Sequence, residues 1–183
     1  MRFLLLIVAL ALLVGCQPEF ITADALEPLR ISNEGIKTRQ SIDALLIDHD
    51  ARIAEFHARL YSAEEKIAFD ATRAKRQLVG SSDTQRRDIN NMIDVHVENA
   101  RAEVSRERSR VDQSAADAKA EVSRIIGELS ELDGFEHDRM ASLVASARES
   151  LSTETLEDSV VRAETMAVRA AESIQNELNK LRR

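Results

Sequence analysis

Apolar residues recur at seven-residue intervals through most of this chain, and no proline interrupts them after Pro28. Apolar side chains at steps of three and four residues lie on one face of an α-helix, whereas a half-buried strand would need strict alternation. The first line consists of Leu46, Ile53, Leu60 and Ile67, with Ile42, Phe56 and Ala63 between its members. Such a two-position seam is typical of helices that pack on other helices.

Two glycine-containing breaks divide the helical part into three pieces. Gly80 and Gly134 lie in these breaks, and Ser82 with Gln85 has the spacing of a capping box for the second helix. A Ser152-Thr153 pair could kink or restart the third helix. We therefore predict helices over about 39–79, 83–132 and 135–183.

The second and third predicted helices carry apolar lines of their own. The line of the second helix is Val97, Val104, Val111, Ala118, Ile125 and Leu132. The line of the third helix is Leu156, Val160, Ala163, Ala167, Ala170, Ile174, Leu178 and Leu181. Glu107, Ser114 and Glu121 occupy the complementary positions in the middle of the second helix, so we expect weak packing there.

The predicted fold class is all-α. Short connections make consecutive helices antiparallel neighbours, which favours an elongated antiparallel three-helix bundle. If the breaks were instead bends in one long rod, other chains would have to bury the apolar seams in a coiled coil. The sequence leaves both arrangements open.

The composition excludes several classes of function. Aromatic residues make up 3% of the chain and tryptophan is absent, so the core must consist of Ala, Val, Ile and Leu and offers little room for an apolar ligand. The net charge is −7, whereas binding to nucleic acid needs a basic face. Residues 106–110 are the densest basic stretch, but interspersed acids favour pairing within the helix.

Chemical motifs are missing as well. The chain has five glycines and contains no G-x-S-x-G elbow, P-loop or G-x-G-x-x-G sequence. The histidines are His49, His57, His96 and His137, and His49 lies in Asp48-His49-Asp50, a run of three potential ligands. Because neighbouring helical residues point in different directions, we predict no metal site and interpret His49 as a polar register marker in the seam. We predict no enzyme activity, no cofactor and no small-molecule substrate.

The first sixteen residues differ from the rest. Arg2 places a positive charge before twelve apolar residues at positions 3–14, and the small residue Gly15 follows. This pattern is typical of a secretory signal peptide. A membrane-spanning helix needs about 20 apolar residues, so the segment is too short for a permanent anchor. We expect residues 1–15 to be removed.

Leu13-Val14-Gly15-Cys16 resembles the lipobox of bacterial lipoproteins, a match that covers the first sixteen residues only. The resemblance implies cleavage between Gly15 and Cys16, a diacylglycerol on the Cys16 thiol, and often an acyl chain such as palmitate on the new amino terminus. Cys16 is the only cysteine, so a disulfide has no second partner within the chain.

Residues 16–38 are predicted to form a lipidated tether ahead of a helical domain over 39–183. Pro18 and Pro28 oppose a continuous helix, and Gly35 adds turn chemistry. Gln17 follows the cysteine at a position where aspartate would resemble a retention signal for the inner membrane. Its identity favours the outer membrane of a two-membrane host, with the chain facing the periplasm.

These features predict a non-enzymatic structural or assembly factor that contacts a protein partner or another copy through its helical seams. The murein lipoprotein class is similar in being lipidated, helical and poor in aromatics, but its cell-wall link uses a terminal lysine, whereas this chain ends Leu181-Arg182-Arg183. The alternative is a phage lysis lipoprotein. It would resemble the outer-membrane subunit of spanin complexes, which combines a lipobox with a partner-seeking helix.

Overall fold

The computed structural model describes residues 23–80, 82–132 and 136–180, with side chains from residue 33 onward. The helices in these ranges are α1 (Ala23–Arg76), α2 (Asp83–Glu131), α3 (His137–Ser150) and α4 (Glu154–Lys180). No strand occurs in the same ranges, and the helices pack on one another, which confirms the all-α class. The 54 residues of α1 correspond to a length of about 80 Å.

Ion pairs fix the relative direction of the first two helices. Asp50 of α1 pairs with Lys119 of α2 at 2.9 Å, and Lys75 further along α1 pairs with Asp94 near the start of α2. A later residue of α1 therefore pairs with an earlier residue of α2. The two helices are antiparallel, as predicted.

Together, α3 and α4 form the third segment of the bundle. His49 lies beside Leu151 and Arg59 lies beside Glu164, so this segment runs parallel to α1. Its interruption falls at Ser152-Thr153, where the sequence suggested a kink or restart. The chain folds up, down and up, so the bundle is confirmed and the third helix consists of two pieces.

The core follows the predicted apolar lines in two clusters. The larger cluster joins α1, α2 and α4 around Phe56, Val104 and Val160, and the smaller joins α1, α2 and α3 around Ile42 and Val122. In α2 the buried members of the predicted line are Val97, Val104, Val111, Ala118 and Ile125, while Leu132 is half-buried. In α4 they are Leu156, Val160, Ala163, Ala167, Ala170, Ile174 and Leu178, whereas Leu181 lies outside the described residues.

The middle of α2 contains a register shift. Glu107, Val111 and Ala115 are all buried at two successive steps of four residues, whereas a regular heptad alternates three and four. Such a step locally unwinds the supercoil, and it brings Ala115 to the core while Ser114 is half-buried. The expected weak packing is therefore replaced by a shifted seam built around a buried glutamate.

The predicted boundary of the tether is wrong, because α1 begins at Ala23 and not near residue 39. Pro28 lies in the second turn, where proline removes one backbone hydrogen bond and costs about 3 kcal/mol, and Gly35 costs about 1 kcal/mol relative to alanine, yet the helix continues through both. Glu34 already pairs with His137 of α3, so packing contacts begin before the predicted start. Residues 1–22, which include the predicted leader and Cys16, lie outside the described residues.

The turn between α1 and α2 depends on Gly80, whose φ is 100°. Ser82 accepts a hydrogen bond from the backbone N–H of Gln85 at 3.4 Å, and its hydroxyl donates to Gln85 Oε1 at 2.8 Å. The predicted capping pair is confirmed in position. It differs from a full capping box because the glutamine side chain bonds the serine hydroxyl and not its backbone N–H.

Gly80→Ala should lower the free energy of unfolding by about 1 kcal/mol, because a Cβ is disfavoured at this positive φ. Gly127→Ala is the matched control: it lies within α2, and an added Cβ there meets no atom within 4 Å. That change should raise the free energy of unfolding by about 0.5–1 kcal/mol. Urea denaturation followed by circular dichroism measures both. Equal shifts of the same sign would contradict the special role of Gly80.

Candidate functional site

The predicted lipid site falls outside the described residues, because Gly15 and Cys16 precede them. Lipid attachment and cleavage at this point therefore stay predictions. Among the described helices, none has the length and apolar character needed to cross a membrane.

His49 lies in the core of the bundle. Its side chain is 3% exposed, and its Nδ1 is 3.1 Å from the carbonyl oxygen of Leu151 at the end of α3. A carbonyl only accepts, so Nδ1 carries a proton and donates it. Asp48 and Asp50 are both exposed, and Asp50 is engaged by Lys119 at 2.9 Å. The triplet Asp48-His49-Asp50 does not converge on one point.

A cavity of about 460 Å³ adjoins His49 at the interruption between α3 and α4. Arg52 and Arg148 line it from α1 and α3, and Glu154 and Glu157 line it from α4. Nε2 of His49 is buried and makes no hydrogen bond to the described residues. The lining combines both signs of charge, so it shows no preference for an anion or a cation. Nowhere in the described ranges do three His, Cys, Asp or Glu side chains form a group that could hold a metal ion.

The remaining histidines face carboxylates on other helices. The three pairs are His57–Asp112 at 2.8 Å, His96–Glu177 at 4.0 Å, and His137–Glu34. Because every pair joins two different helices, we interpret these residues as bundle contacts.

The basic stretch at 106–110 of α2 is largely neutralised. The pairs Arg106–Glu103 and Arg110–Glu107 lie within α2, and Arg108–Glu64 joins α2 to α1 at 2.9 Å. The predicted pairing within the helix is confirmed for two of the arginines, while the third bridges two helices. These pairs leave no concentrated basic surface at this stretch.

Glu107 forms a buried polar cluster between α2 and α4. Two nitrogens of Arg162 donate to its two carboxylate oxygens at 3.2 and 3.1 Å, and Arg110 donates at 2.7 Å. Arg162 also donates to the buried Ser159 hydroxyl at 2.9 Å. Burial acts to raise the pKa of Glu107, but hydrogen bonds from Arg162, Ser159 and Arg110 outweigh it and hold the pKa below its ordinary value. The carboxylate therefore stays ionised and fully engaged.

Arg59 connects α1 to α4. Its Nε and Nη2 each donate to Glu164 at 2.9 Å, and its Nη1 donates to Glu157 at 2.7 Å. The hydrogen bonds to Glu164 and Glu157 raise the pKa of Arg59. This guanidinium is thus committed to holding two helices together, as a forked donor that matches two carboxylates.

A second apolar face of α1 is left uncovered by the bundle. Ile47, Tyr61 and Phe69 are 71%, 57% and 66% exposed. Glu65 lies between the last two, and its hydrogen bond with the Tyr61 hydroxyl raises the pKa of that tyrosine. The α1 outer face comprises Ile47, Ala51, Ala54, Ala58, Tyr61, Ala68 and Phe69, all exposed except the half-buried Ala68.

The two ends of the α1 outer face carry opposite charges. Asp48 and Glu55 flank its amino-terminal half, and Arg73 and Arg76 follow its carboxyl-terminal end. All four are exposed, and none forms an ion pair with another side chain in the part of the chain that the structure describes. Apart from Glu65 the face is apolar, with Asp48 and Glu55 on either side of Arg52 at one end and Arg73 and Arg76 at the other.

Comparison of the chain with protein families, with characterised proteins and with solved structures gives no match.

Proposed function

We propose that this chain is a bacterial lipoprotein that is held on a membrane by lipid on Cys16 and acts as a non-enzymatic structural or assembly factor. The observation that carries the proposal is the α1 outer face. The bundle fills its own core without it, and a row of exposed apolar side chains on a helix is typical of a surface that another helix covers. The resemblance of Leu13-Val14-Gly15-Cys16 to a lipobox supports the anchoring part of the proposal. Gln17 favours the outer membrane, with the chain facing the periplasm.

The polar groups of the bundle support a role without catalysis. Glu107 is held by Arg162 of α4 and Arg110 of its own helix, and Arg59 is held by Glu164 and Glu157 of α4. A general acid or base needs a proton-transfer position that is open to a substrate. These clusters stabilise the packing of the helices. The surface that the bundle leaves uncovered is the apolar α1 outer face.

Cys16→Ser should abolish lipid attachment and leave an uncut precursor, because the resemblance to a lipobox assigns both reactions to this thiol. Cells fed an alkyne analogue of palmitate report the lipid, and the mobility of the protein on a gel reports cleavage. Gly15→Ala is the matched control, since it keeps a small residue before the cysteine and should be labelled and cut like the wild type.

Separation of inner and outer membranes on a density gradient then tests the location. The wild-type protein should sediment with the outer membrane. Detection of a free Cys16 thiol in the native protein by mass spectrometry would contradict the anchoring proposal.

A further inference from the structure

We propose that the partner of the α1 outer face is a second copy of this chain, and that the two α1 helices pair antiparallel about a point near residue 60. This inference names the partner for the proposed function. It depends on the lipoprotein assignment only for the position of the lipids, because the paired surface lies entirely within α1.

The order of large and small residues on the α1 outer face fits an antiparallel pair. Ala51, Ala54, Ala58, Tyr61 and Ala68 follow alternating steps of three and four residues when Glu65 is counted between the last two. This repeat has a point of symmetry between Ala58 and Tyr61. Antiparallel pairing about this point places Tyr61 of one copy opposite Ala58 of the other. It likewise places Ala68 opposite Ala51, and Glu65 opposite Ala54. The exposed ring of Tyr61 then meets a methyl group, as close packing between helices requires.

The charges at the two ends of the face select the same orientation. Antiparallel pairing brings the end that carries Asp48 and Glu55 towards the end that carries Arg73 and Arg76. A parallel pair in register would instead place acidic beside acidic and basic beside basic, and would stack Glu65 on its own copy. Opposite charges flanking an apolar seam fix partner and direction, and like charges in the same place oppose association.

The arrangement separates the two amino termini. From residue 60 back to Ala23 is a helical length of about 55 Å in each copy, so the two ends of α1 lie about 110 Å apart. The lipids proposed for Cys16 would then lie at opposite ends of the dimer, and the assembly would contact membrane at two distant points.

Charge reversal tests the pairing. The experiment uses the full chain with Cys16→Ser, in a nonionic detergent, so that lipid plays no part, and measures association by sedimentation equilibrium. The parent protein should be a dimer. Two double variants, D48K/E55K and R73E/R76E, should each associate at least about tenfold more weakly, because like charges then meet at both ends. Mixing these two variants should restore a dimer, since every reversed charge then meets its opposite.

Cysteine cross-linking tests the direction. In the same background, Ala51→Cys and Ala68→Cys each introduce the only thiol of the chain. Oxidation of an equal mixture should give the disulfide between position 51 of one copy and position 68 of the other as the main product. A main product that joins 51 to 51 would establish a parallel pair and overturn the proposal.

Circular dichroism and thermal melting provide the folding control, because all four charged positions are exposed and their variants should keep the wild-type helix content. A parent protein that stays monomeric, or folded charge variants that associate as tightly as the parent, would also overturn the dimer. Either outcome would leave the lipid proposal standing. Conversely, a dimer without palmitate labelling of the wild type would refute only the anchor.

Discussion

Replacing Phe56 by alanine is expected to lower the free energy of unfolding by about 3–5 kcal/mol. Phe56 is 1% exposed and belongs to the cluster that joins α1, α2 and α4. The truncation loses the transfer free energy of the ring and leaves a cavity that the surroundings only partly close. Arg59, less than one turn away, holds α1 to α4 and limits that closure. Urea denaturation followed by circular dichroism gives the measurement.

Phe69→Ala is the matched control, because it makes the same chemical change on the same helix at a side chain that is 66% exposed. In dilute protein, where association contributes little, it should change the free energy of unfolding by less than about 0.5 kcal/mol. Equal losses for the two variants would mean that both faces of α1 are buried in the folded monomer, contrary to the bundle described above.

The helices and the core could be predicted from the sequence because apolar periodicity encodes them directly. Val104, Val111 and Ile125 lie on a seven-residue line in α2, and all three are fully buried. The turn at Gly80 could also be predicted, since few other residues accept its backbone conformation. Local patterns of this kind depend on residues that are near one another in the chain.

Contacts between distant residues could not be predicted in the same way. The hydrogen bond from His49 to Leu151 and the burial of Glu107 against Arg162 depend on how far each helix is shifted along its neighbour. A single sequence specifies the seam of a helix but not this shift. Glu107 on the apolar seam therefore predicted weak packing, whereas its hydrogen bonds with Arg162 of α4 allow it to be buried in the core.

Two features were misread for a different reason. Pro28 and Gly35 suggested a tether, but α1 continues through both residues, and it already contacts α3 at Glu34. The α1 outer face lies apart from the seven-residue apolar line of that helix, so the line did not predict it. Ile47, Tyr61 and Phe69 are the large apolar residues on the exposed side of α1, and they are the signal in the sequence that could have predicted this face.

Glu107→Gln should lower the free energy of unfolding by about 1–3 kcal/mol at pH 7. Glutamine keeps the shape of the side chain but removes the negative charge to which Arg162 and Arg110 donate. Its NH2 group is itself a donor, so it would face the N–H donors of these arginines in a buried position. Glu107→Leu should cost less, because a well-packed apolar residue needs no partner. Glu103→Ala provides the comparison on the same helix, where the carboxylate is 38% exposed and pairs within α2 with Arg106, and the unfolding midpoint should hardly move.

The pH dependence of this difference identifies its cause. The pKa of Glu107 in the folded chain lies below its ordinary value of 4.5, so the carboxylate stabilises the fold in full above that value. This contribution is lost as the pH falls through the lower, folded-state pKa, because a protonated glutamate offers the arginines no charge. The difference in free energy of unfolding between the wild type and Glu107→Gln should therefore be largest near pH 7 and should decrease below pH 4.5. A gap that stayed constant into that acidic range would show that the loss comes from altered packing and not from the charge of Glu107.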